Sequence, residues 1–487
     1  MKQTTSLKRR QFLKQSAAVS TALVLSPGKL ALGAIEPTSS AAGKKVIIVG
    51  AGLAGMSAGR ELTNAGYDVT ILEARARPGG RVFTIREPFA DGLYAEGGAM
   101  QVPDNHDWTM KYVKLFDLTL DQIQPPNLKS IVQIGGQRIE MASGKVPDWP
   151  IALSPEERKL TQRGLWERYV VPTLKKVQEG KDHLRRYDPF TFSEFLRQRG
   201  ASPAAVALLK LALPSGLGDG ADAVSAANLL REAAHREERK HSSTIRGGTD
   251  QLAKAFAAHL KDRIRYGMPV VALEQNDSGV KAICSEAGQQ QTFVADHLIC
   301  AVPFSLLRRI RVSPRFSPAK ERAVQQLQYT SVGRVYLQTK KKFWLEEGYS
   351  GSAATDLPVM SVYERSINQP GPRGMLESYR AGPDARRLTA MDNDRRVAAT
   401  LAGMKTVFPS LPEYFEGGGS KTWDDDEWNR GAYAWFKPGE MTLLDPHIAT
   451  VEGRIHFAGE HASSTPGWMQ GALESGNRAA REIMEAK

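Results

Sequence analysis

The sequence predicts an α+β fold of two domains, one of which is built from both ends of the chain. With 487 residues, the chain is long enough for two hydrophobic cores, because single cores seldom grow beyond about 250–300 residues. Near the start, an apolar run at 45–49, a glycine-rich loop, a helix and an apolar run at 68–72 follow the order of a βαβ unit. Near the end, a strand pattern at 455–458 and a helix from about Gly471 complete this domain.

The middle of the chain has a different pattern and predicts a second domain with a mixed sheet. From about 154 to 240, apolar and charged residues alternate at helical spacing, which indicates a mostly helical insertion. Strand patterns return at 270–273, 280–285, 292–301 and 334–339. We therefore predict that residues 44–105, 246–310 and 421–487 form the first domain, and that residues 106–245 and 311–420 form the second.

Residues 1–34 have the pattern of an export signal. A basic stretch at 8–14 contains the pair Arg9-Arg10 and precedes an apolar run at 16–26 that is too short to span a bilayer. The segment resembles the twin-arginine signal of bacterial export, and a linker follows at 35–43. The resemblance implies that the folded protein passes through the twin-arginine export machinery to the periplasm or out of the cell. A basic tail followed by an apolar helix is the alternative interpretation.

Charge and composition narrow the class of partner. The formal charge is +12, but residues 1–33 hold six cations and no acid, which leaves 59 cationic against 53 acidic residues, or +6. This modest charge does not indicate nucleic acid, and no later run of about 18 apolar residues indicates membrane insertion. The two cysteines, Cys284 and Cys300, lie in apolar strand patterns and are expected to be buried thiols, with a disulfide left open. No spacing typical of a metal site occurs.

A glycine loop carries the first functional signal. Residues 50–55 match the pattern G-x-G-x-x-G between a strand and a helix. Gly50 allows the tight turn, Gly52 lets the backbone approach a pyrophosphate, and Gly55 lets the helix pack closely on the strand. Glu73 ends the second strand, where a carboxylate accepts hydrogen bonds from ribose hydroxyls and disfavours the 2′-phosphate of NADP. These features predict a Rossmann-like domain that binds a dinucleotide.

Further segments separate FAD from NAD, and they resemble the flavin amine oxidase family. The stretch at 72–82 contains Gly79-Gly80-Arg81, similar to the family extension that brings backbone and positive charge toward the diphosphate. Matching segments follow in the family's order at 96–100, 247–252, 269–271, 423–433, 457–461 and 467–472. The resemblance implies FAD as the cofactor. It covers the chain after the signal, least closely at about 150–240.

The resemblance also implies which residues surround the cofactor. It places residues 96–100 along the isoalloxazine, the Val270 backbone at the adenine, Glu460 at the ribityl chain and Met469 at the pyrimidine edge of the flavin. Ala432 stands where some monoamine oxidases carry a flavin-linking cysteine, so FAD is expected to be bound non-covalently. The expected cofactor-binding residues are Gly50, Ala51, Gly52, Ala54, Gly55, Glu73, Ala74, Arg75, Gly80, Arg81, Gly97, Gly98, Ala99, Met100, Val270, Gly459, Glu460, Gly467, Trp468, Met469 and Ala472.

Three positions are expected to act on the reaction. By resemblance, Tyr433 and Trp468 form an aromatic cage that steers an amine nitrogen toward the flavin. Arg334 occupies the position of the family's lysine near flavin N5, which assists the reaction with oxygen. Arginine keeps the positive charge, but its donor fork is larger and differently directed. One alternative is therefore a dehydrogenase that passes its electrons to an acceptor other than oxygen. Another is that Arg334 has only a structural role and pairs with a buried acid.

Gln101 departs from the family pattern at the substrate. L-amino-acid oxidases of the family usually have arginine there, which holds the substrate carboxylate through two charge-assisted hydrogen bonds. Glutamine cannot supply that charge, so the sequence favours an amine without an α-carboxylate, unless another arginine reaches into the site. Substrate binding is assigned to Gln101, Tyr433 and Trp468.

Together these observations predict a flavoenzyme that oxidises an amine C–N bond to an imine, with O2 reduced to H2O2. The alternatives are an L-amino-acid oxidase with a different carboxylate clamp, an FAD-dependent amine dehydrogenase, and a redox-silent FAD-binding protein. The expected partners are a small amine or amino acid, O2 or another electron acceptor, and the export machinery. Neither nucleic acid nor a resident metal is expected, and a homodimer stays open.

Overall fold

The computed structural model describes residues 43–178, 182–213, 218–286 and 289–486. The predicted signal at 1–34 lies outside the described residues, as does the predicted linker up to residue 42. The described strands, β1 to β23 in chain order, are Lys45–Val49, Asp68–Leu72, Thr84–Ile85, Ala95–Glu96, Val102–Pro103, Leu120–Gln122, Lys129–Ile134, Gln137–Met141, Ser242–Ile245, Ile264–Arg265, Val270–Asn276, Gly279–Glu286, Gln289–Ala295, His297–Cys300, Arg311–Ser313, Gln328–Tyr329, Val332–Thr339, Tyr349–Thr355, Ser361–Glu364, Gly374–Ala381, Phe415–Thr422, Ala434–Trp435 and Ile455–Phe457.

Helices connect and cover these strands. The described α-helices, α1 to α17 in chain order, are Leu53–Asn64, Asp107–Leu115, Gln162–Tyr169, Val171–Gln178, Asp182–Arg185, Phe192–Gln198, Pro203–Ala212, Ala226–Glu238, Asp250–Leu260, Phe304–Leu307, Pro318–Gln326, Phe343–Glu346, Gly382–Thr389, Asn393–Lys405, Leu411–Tyr414, Glu440–Ile448 and Met469–Glu485. Short 3-10 helices occur at Glu157–Lys159, Lys261–Arg263 and Glu460–Ala462. Among the described helices, none combines the length and the apolar character needed to cross a membrane.

A parallel five-stranded sheet, in the order β10-β2-β1-β14-β23, joins the two ends of the chain. β1 lies at its centre, where Val46 is in register with Val69 of β2 on one side and with His297 of β14 on the other. The strands predicted at 45–49 and 68–72 are confirmed residue by residue. Because β23 pairs with β14, the C-terminal segment completes the sheet that the N-terminal segment begins.

The first and last helices pack closely on this sheet. Gly476 of α17 lies directly against α1, since a Cβ at Gly476 would be 2.2 Å from the backbone oxygen of Ala54 and 2.2 Å from Oγ of Ser57. Such an approach is open only to glycine at this position. It brings the C-terminal helix against the helix that begins at the glycine loop.

The single strand predicted at 292–301 is wrong in one respect, because two strands occupy it. β13 ends at Ala295 and pairs antiparallel with β12 in a separate four-stranded sheet, whereas β14 starts at His297 and pairs parallel with β1. Asp296 separates them, and its backbone N–H donates to the Lys45 carbonyl while its side chain accepts from the Lys45 N–H. A continuous apolar run does not reveal a change of pairing partner.

The remaining sheet and helices form the second part of the fold. A mixed seven-stranded sheet has the order β21-β17-β20-β19-β18-β7-β8. Helices α3 to α8 occupy 162–238, as the helical spacing predicted, and bury their own core around Leu165, Phe192, Phe195 and Leu196.

The cysteines behave as the sequence predicts. Cys284 and Cys300 are both buried free thiols. Burial raises the pKa of Cys284 to about 11 and that of Cys300 to about 12, so both stay protonated at neutral pH. They act as small apolar side chains of the core around the parallel sheet.

Gly476→Ala should lower the thermal stability of the protein. Alanine gains about 1 kcal/mol of helix propensity over glycine, but its Cβ would meet the Ala54 carbonyl at 2.2 Å. This strain lies at the upper end of the about 1–3 kcal/mol that overpacking costs. Calorimetry should show a fall in Tm of several degrees. Gly417→Ala is the matched control, because a Cβ there meets no atom within 4 Å; an equal Tm for both variants would contradict the packing of α1 on α17.

Candidate active site

A cavity of about 660 Å³ lies where the glycine loop, the C-terminal segment, α8 and the seven-stranded sheet meet. The predicted cofactor, substrate and catalytic residues that line it are Gly50, Gly52, Ala54, Glu73, Ala74, Arg75, Gly80, Arg81, Gly98, Ala99, Met100, Gln101, Val270, Arg334, Tyr433, Gly459, Glu460, Gly467, Trp468, Met469 and Ala472. The structure therefore brings together segments that lie more than 400 residues apart in the chain.

Three predicted cofactor residues, Ala51, Gly55 and Gly97, lie behind the cavity wall. Ala51 is fully buried, and its N–H donates to a carboxylate oxygen of Glu73 at 2.8 Å. A Cβ on Gly55 would meet the backbone of the loop at 2.0 Å, and the Gly97 carbonyl accepts a hydrogen bond from Trp423 at 2.8 Å. These residues shape the site through packing and backbone hydrogen bonds.

The glycine loop has the form that a pyrophosphate requires. Gly50 adopts φ +105°, which favours glycine. A Cβ on Gly52 would meet no atom within 4 Å, so the backbone there faces open space. Gly52 is also the N-cap of α1 and supplies no side-chain hydrogen bond. The N–H groups in the first turn of the helix thus remain available for an anion.

Glu73 is fixed at the edge of the same cavity. Its carboxylate accepts hydrogen bonds from the backbone N–H groups of Ala51, at 2.8 Å, and Arg75, at 2.9 Å. Burial raises the pKa of Glu73, and these two hydrogen bonds oppose that rise. The carboxylate is therefore oriented by the backbone before a ribose arrives.

An ion pair between Arg81 and Glu460 connects the two ends of the chain across the cavity. Nη1 of Arg81 lies 2.7 Å from Oε1 of Glu460 and also donates to the Ala432 carbonyl. The other oxygen of Glu460 accepts from the Gly467 N–H at 2.8 Å. Glu460 therefore positions the turn before Trp468 while Arg81 keeps positive charge on the cavity wall.

The two expected cage residues both line the cavity and are held from behind. Nε1 of Trp468 donates to both carboxylate oxygens of Glu232, each at 3.0 Å, and the His106 ring packs edge-on against Trp468 at 4.9 Å. The Tyr433 hydroxyl lies 3.4 Å from the Tyr379 hydroxyl. Burial raises the pKa of Tyr433 well above its usual value, so the phenol stays neutral.

Arg334 lines the cavity and also pairs with a buried acid. Its Nη1 donates to the Glu96 carbonyl at 2.7 Å, and its Nε lies 3.5 Å from the fully buried carboxylate of Glu377. Its guanidinium lies over the Tyr379 ring at 4.7 Å. The ion pair with a buried acid, which was one of the two interpretations of the sequence, is thus present. Arg334 nevertheless lines the cavity.

Gln101 does not stand alone at the substrate end of the cavity. Nη1 of Arg239 lies 3.5 Å from Oε1 of Gln101, and both residues line the cavity. Arg239 is half-buried, and none of the described carboxylates lies within 4 Å of it. Burial and then the neighbouring Arg236 lower the pKa of Arg239. The structure therefore supplies a guanidinium next to the position where the sequence has only an amide.

A family model described as flavin containing amine oxidoreductase matches residues 53–484. The chain belongs to this family. YobN of Bacillus subtilis, provisionally named an L-amino-acid oxidase, is 33% identical over 465 residues, which cover 90% of this chain and 94% of that protein. An L-amino-acid oxidase of Crotalus adamanteus is 29% identical over 464 residues, which cover 92% of this chain and 88% of that protein.

Solved structures of flavin-containing amine oxidoreductases share the fold. A double variant of putrescine oxidase has a TM-score of 0.79 at 24% identity and covers 91% of this chain and 100% of its own. Cyclohexylamine oxidase from Brevibacterium oxydans has a TM-score of 0.78 at 21% identity, with 91% and 99% covered. The predicted α+β fold, the FAD cofactor and the oxidation of amines are confirmed at the level of the family.

FAD fits the residues of this flavin-containing amine oxidoreductase. The open backbone at Gly52 and the helix start behind it suit the pyrophosphate, and Glu73 suits the ribose. Ala432 offers no side chain for a covalent flavin link, so the binding is non-covalent.

The sequence missed the residues of α8 and of the seven-stranded sheet that line the cavity. Those on α8 share one helical face, at i, i+3, i+4, i+7, i+8 and i+11; they are Asn228, Arg231, Glu232, His235, Arg236 and Arg239. Those on the sheet are Tyr363, Arg365 and Tyr379. The polar face of α8 was the available signal, but such a face is typical of a helix exposed to solvent.

Arg81→Met should weaken FAD binding without unfolding the protein. The change removes positive charge from the cavity wall and leaves Glu460 without its ion-pair partner, and Arg81 is 22% exposed, so water screens part of the effect. We expect the Kd of the apoprotein for FAD to rise about 10- to 100-fold, or about 1.4–2.8 kcal/mol. Quenching of FAD fluorescence measures this Kd. Arg322→Met, at an exposed residue outside the cavity, is the matched control; equal Kd values would contradict the role of Arg81.

Proposed function

We propose that this chain oxidises the α-amino group of an amino acid and that Arg239 binds the α-carboxylate. The observation that carries the proposal is the guanidinium of Arg239, which lines the cavity next to Gln101 and has no described carboxylate within 4 Å. A half-buried cation that forms no ion pair with the described residues favours an anionic ligand. The names of YobN and of the Crotalus adamanteus protein support this substrate class.

The competing substrate class, an amine without a carboxylate, depends on Gln101. Glutamine at that position lacks the charge and the two parallel donors that bind a carboxylate best. Arg239 supplies both from a neighbouring element, and Gln101 Oε1 lies close enough, at 3.5 Å, to limit where that guanidinium moves. An arginine that binds the carboxylate from the neighbouring helix segment, and not from position 101, is therefore compatible with Gln101.

The residues of the chain position the amine for oxidation. FAD, when bound, would accept a hydride from the Cα–H bond of the substrate, while the amine nitrogen loses a proton and the C–N bond becomes an imine. Tyr433 and Trp468 present ring faces to an amine and exclude water from it. Glu232 holds Trp468 through both carboxylate oxygens, so the ring keeps one orientation. Release of an imine, followed by its hydrolysis, gives an oxo acid and ammonia.

We further propose O2 as the electron acceptor. Two electrons and two protons taken from the amine reduce one O2 to one H2O2, so the reaction is balanced without another reductant. A dehydrogenase is the second candidate, because Nη1 of Arg334 is already used by the Glu96 carbonyl and is less free to hold a water near the flavin. Formation of H2O2 in air, in equal amount to the substrate consumed, distinguishes the two.

Arg239→Met should reduce the oxidation of amino acids and spare that of the matching amines. Loss of a charge-assisted hydrogen bond of about 1.5–3 kcal/mol should lower kcat/KM for an amino acid about 10- to 100-fold, chiefly through KM. The decarboxylated partner of the same substrate, for example phenethylamine beside L-phenylalanine, should change less than threefold by the same reasoning. Peroxide release measures both. A wild-type enzyme that prefers phenethylamine would contradict the proposed amino-acid substrate.

We also propose that residues 1–34 direct export by the twin-arginine route. The proposal rests on Arg9-Arg10 within a basic stretch, followed by the apolar run at 16–26. This route transports folded proteins, which suits an enzyme that binds its FAD before export.

Replacement of both Arg9 and Arg10 by lysine should stop export while the charge stays the same. The precursor should then remain in the cytoplasm with FAD bound, because the two substitutions leave every expected cofactor-binding residue, the first of which is Gly50, unchanged. Cell fractionation and immunoblotting measure the distribution. Lys14→Arg is the control that keeps the charge and the pair. Normal export of the doubly substituted protein would leave the proposed route without support.

A further inference from the structure

Two arginines on the sheet side of the cavity share one buried carboxylate. Glu377 of β20 is fully buried; one of its oxygens lies 2.5 Å from Nε of Arg365, and the other lies 3.5 Å from Nε of Arg334. The Tyr336 hydroxyl also contacts Glu377, at 3.2 Å. One negative charge therefore faces two guanidinium groups, and this cluster retains one net positive charge.

Arg365 is the member of this cluster with donors left over. Its Nε donates to Glu377, and its guanidinium lies over the Tyr363 ring at 4.4 Å. Its two terminal nitrogens make no hydrogen bond to any described residue, and both Arg365 and Tyr363 line the cavity. In contrast, Arg334 already uses Nη1 for the Glu96 carbonyl. Arg365 therefore offers the cavity a planar pair of donors, which matches a carboxylate.

The α8 side of the cavity also has one arginine more than it has ion pairs. Arg231 lies 3.4 Å from Asp445, and Arg236 lies 2.7 Å from Glu232. Arg239 has no described ion-pair partner. The five arginines on these two sides of the cavity thus share three carboxylates, counting the Glu377 cluster, so this end of the described cavity has two positive charges more than its ion pairs neutralise.

We propose that the preferred substrate is a dicarboxylic amino acid, with its α-carboxylate on Arg239 and its side-chain carboxylate on Arg365. This inference rests on the proposed function, because it takes the α-amino acid as the substrate class. Two anionic groups on one small molecule neutralise both excess charges. An amide in place of the second carboxylate accepts through one oxygen only and turns an NH2 donor toward the second terminal nitrogen of Arg365, and it leaves the excess positive charge of the Arg334–Glu377–Arg365 cluster without a counter-charge.

Paired substrates of the same shape test this preference. L-glutamate and L-aspartate differ from L-glutamine and L-asparagine almost only in charge. We expect kcat/KM of the wild-type holoenzyme to be about 100-fold higher for the acids, or about 2.8 kcal/mol, since hydrogen bonds between two charged groups are stronger than those to a neutral amide.

Two variants separate the role of Arg365 in binding from its role in the fold. Arg365→Lys keeps a cation for Glu377 but removes the two terminal nitrogens, and it should reduce the preference about 10-fold. Arg365→Met should abolish the preference, so that kcat/KM becomes equal for L-glutamate and L-glutamine. Arg395→Met, at a side chain that is 79% exposed, is the matched control. FAD content and Tm show whether each variant is folded.

A binding measurement makes the test independent of turnover. Glutarate has two carboxylates and no amine, and butyrate has one carboxylate. Perturbation of the flavin absorption spectrum should show that glutarate binds the wild-type holoenzyme at least about 10-fold more tightly than butyrate, a difference of about 1.4 kcal/mol. The difference should disappear in Arg365→Met.

The outcomes distinguish the two proposals. Oxidation of neutral amino acids as fast as of acidic ones, with equal binding of glutarate and butyrate, overturns the dicarboxylate inference and leaves amino-acid oxidation intact. Oxidation of amines alone, with no amino acid consumed, overturns the proposed function and this inference with it. Preference for the acids that is lost in Arg365→Met and kept in Arg395→Met supports both.

Discussion

The ion pair between Arg81 and Glu460 is the contact on which the cofactor site depends. Arg81 comes from the loop after the first βαβ unit, and Glu460 comes from the segment after the last strand of the same sheet. Through its second oxygen, Glu460 also fixes Gly467, and with it the turn that leads to Trp468. One pair of charges therefore couples the diphosphate side of the cavity to the aromatic wall at which an amine is expected to bind.

At the substrate end of the cavity, the number of arginines relative to carboxylates is the governing property. Its walls consist of one helix face and one sheet face, and both carry more arginine than carboxylate. Arg236 also orients another group, because its partner Glu232 holds Trp468. The ion pairs thus fix the side chains that line the cavity. The positive charge that they leave over determines the negative charge that a ligand must carry.

Backbone requirements made the cofactor half predictable from sequence. Gly50, Gly52 and Gly55 are needed because of local geometry, and Glu73 follows from the end of a strand that an apolar run predicts. Tyr433 and Trp468 were predicted as cage residues only through resemblance, since an aromatic residue in a core has the same pattern.

The substrate half could not be read in the same way. The polar face of α8 that carries Glu232 and Arg239 has the pattern of a surface helix, and only the tertiary fold turns it toward a cavity. Arg365 lies directly after β19 and Tyr379 lies on β20, so their presence in one cavity depends on the order of strands in the sheet. Asp296 likewise divides one apolar run between two sheets without a distinctive sequence signal.

The position of β23 in the parallel sheet has a consequence for synthesis of the protein. The glycine loop at 50–55 emerges about 400 residues before Ile455–Phe457 and α17, which complete its sheet and cover its helix. Contacts between segments so distant in the chain form late in folding. An unfinished chain therefore has the dinucleotide loop but not the opposite wall, and an open edge on β14. Capture of the cofactor is thereby tied to synthesis of residues 455–485, and FAD content reports whether that segment has docked.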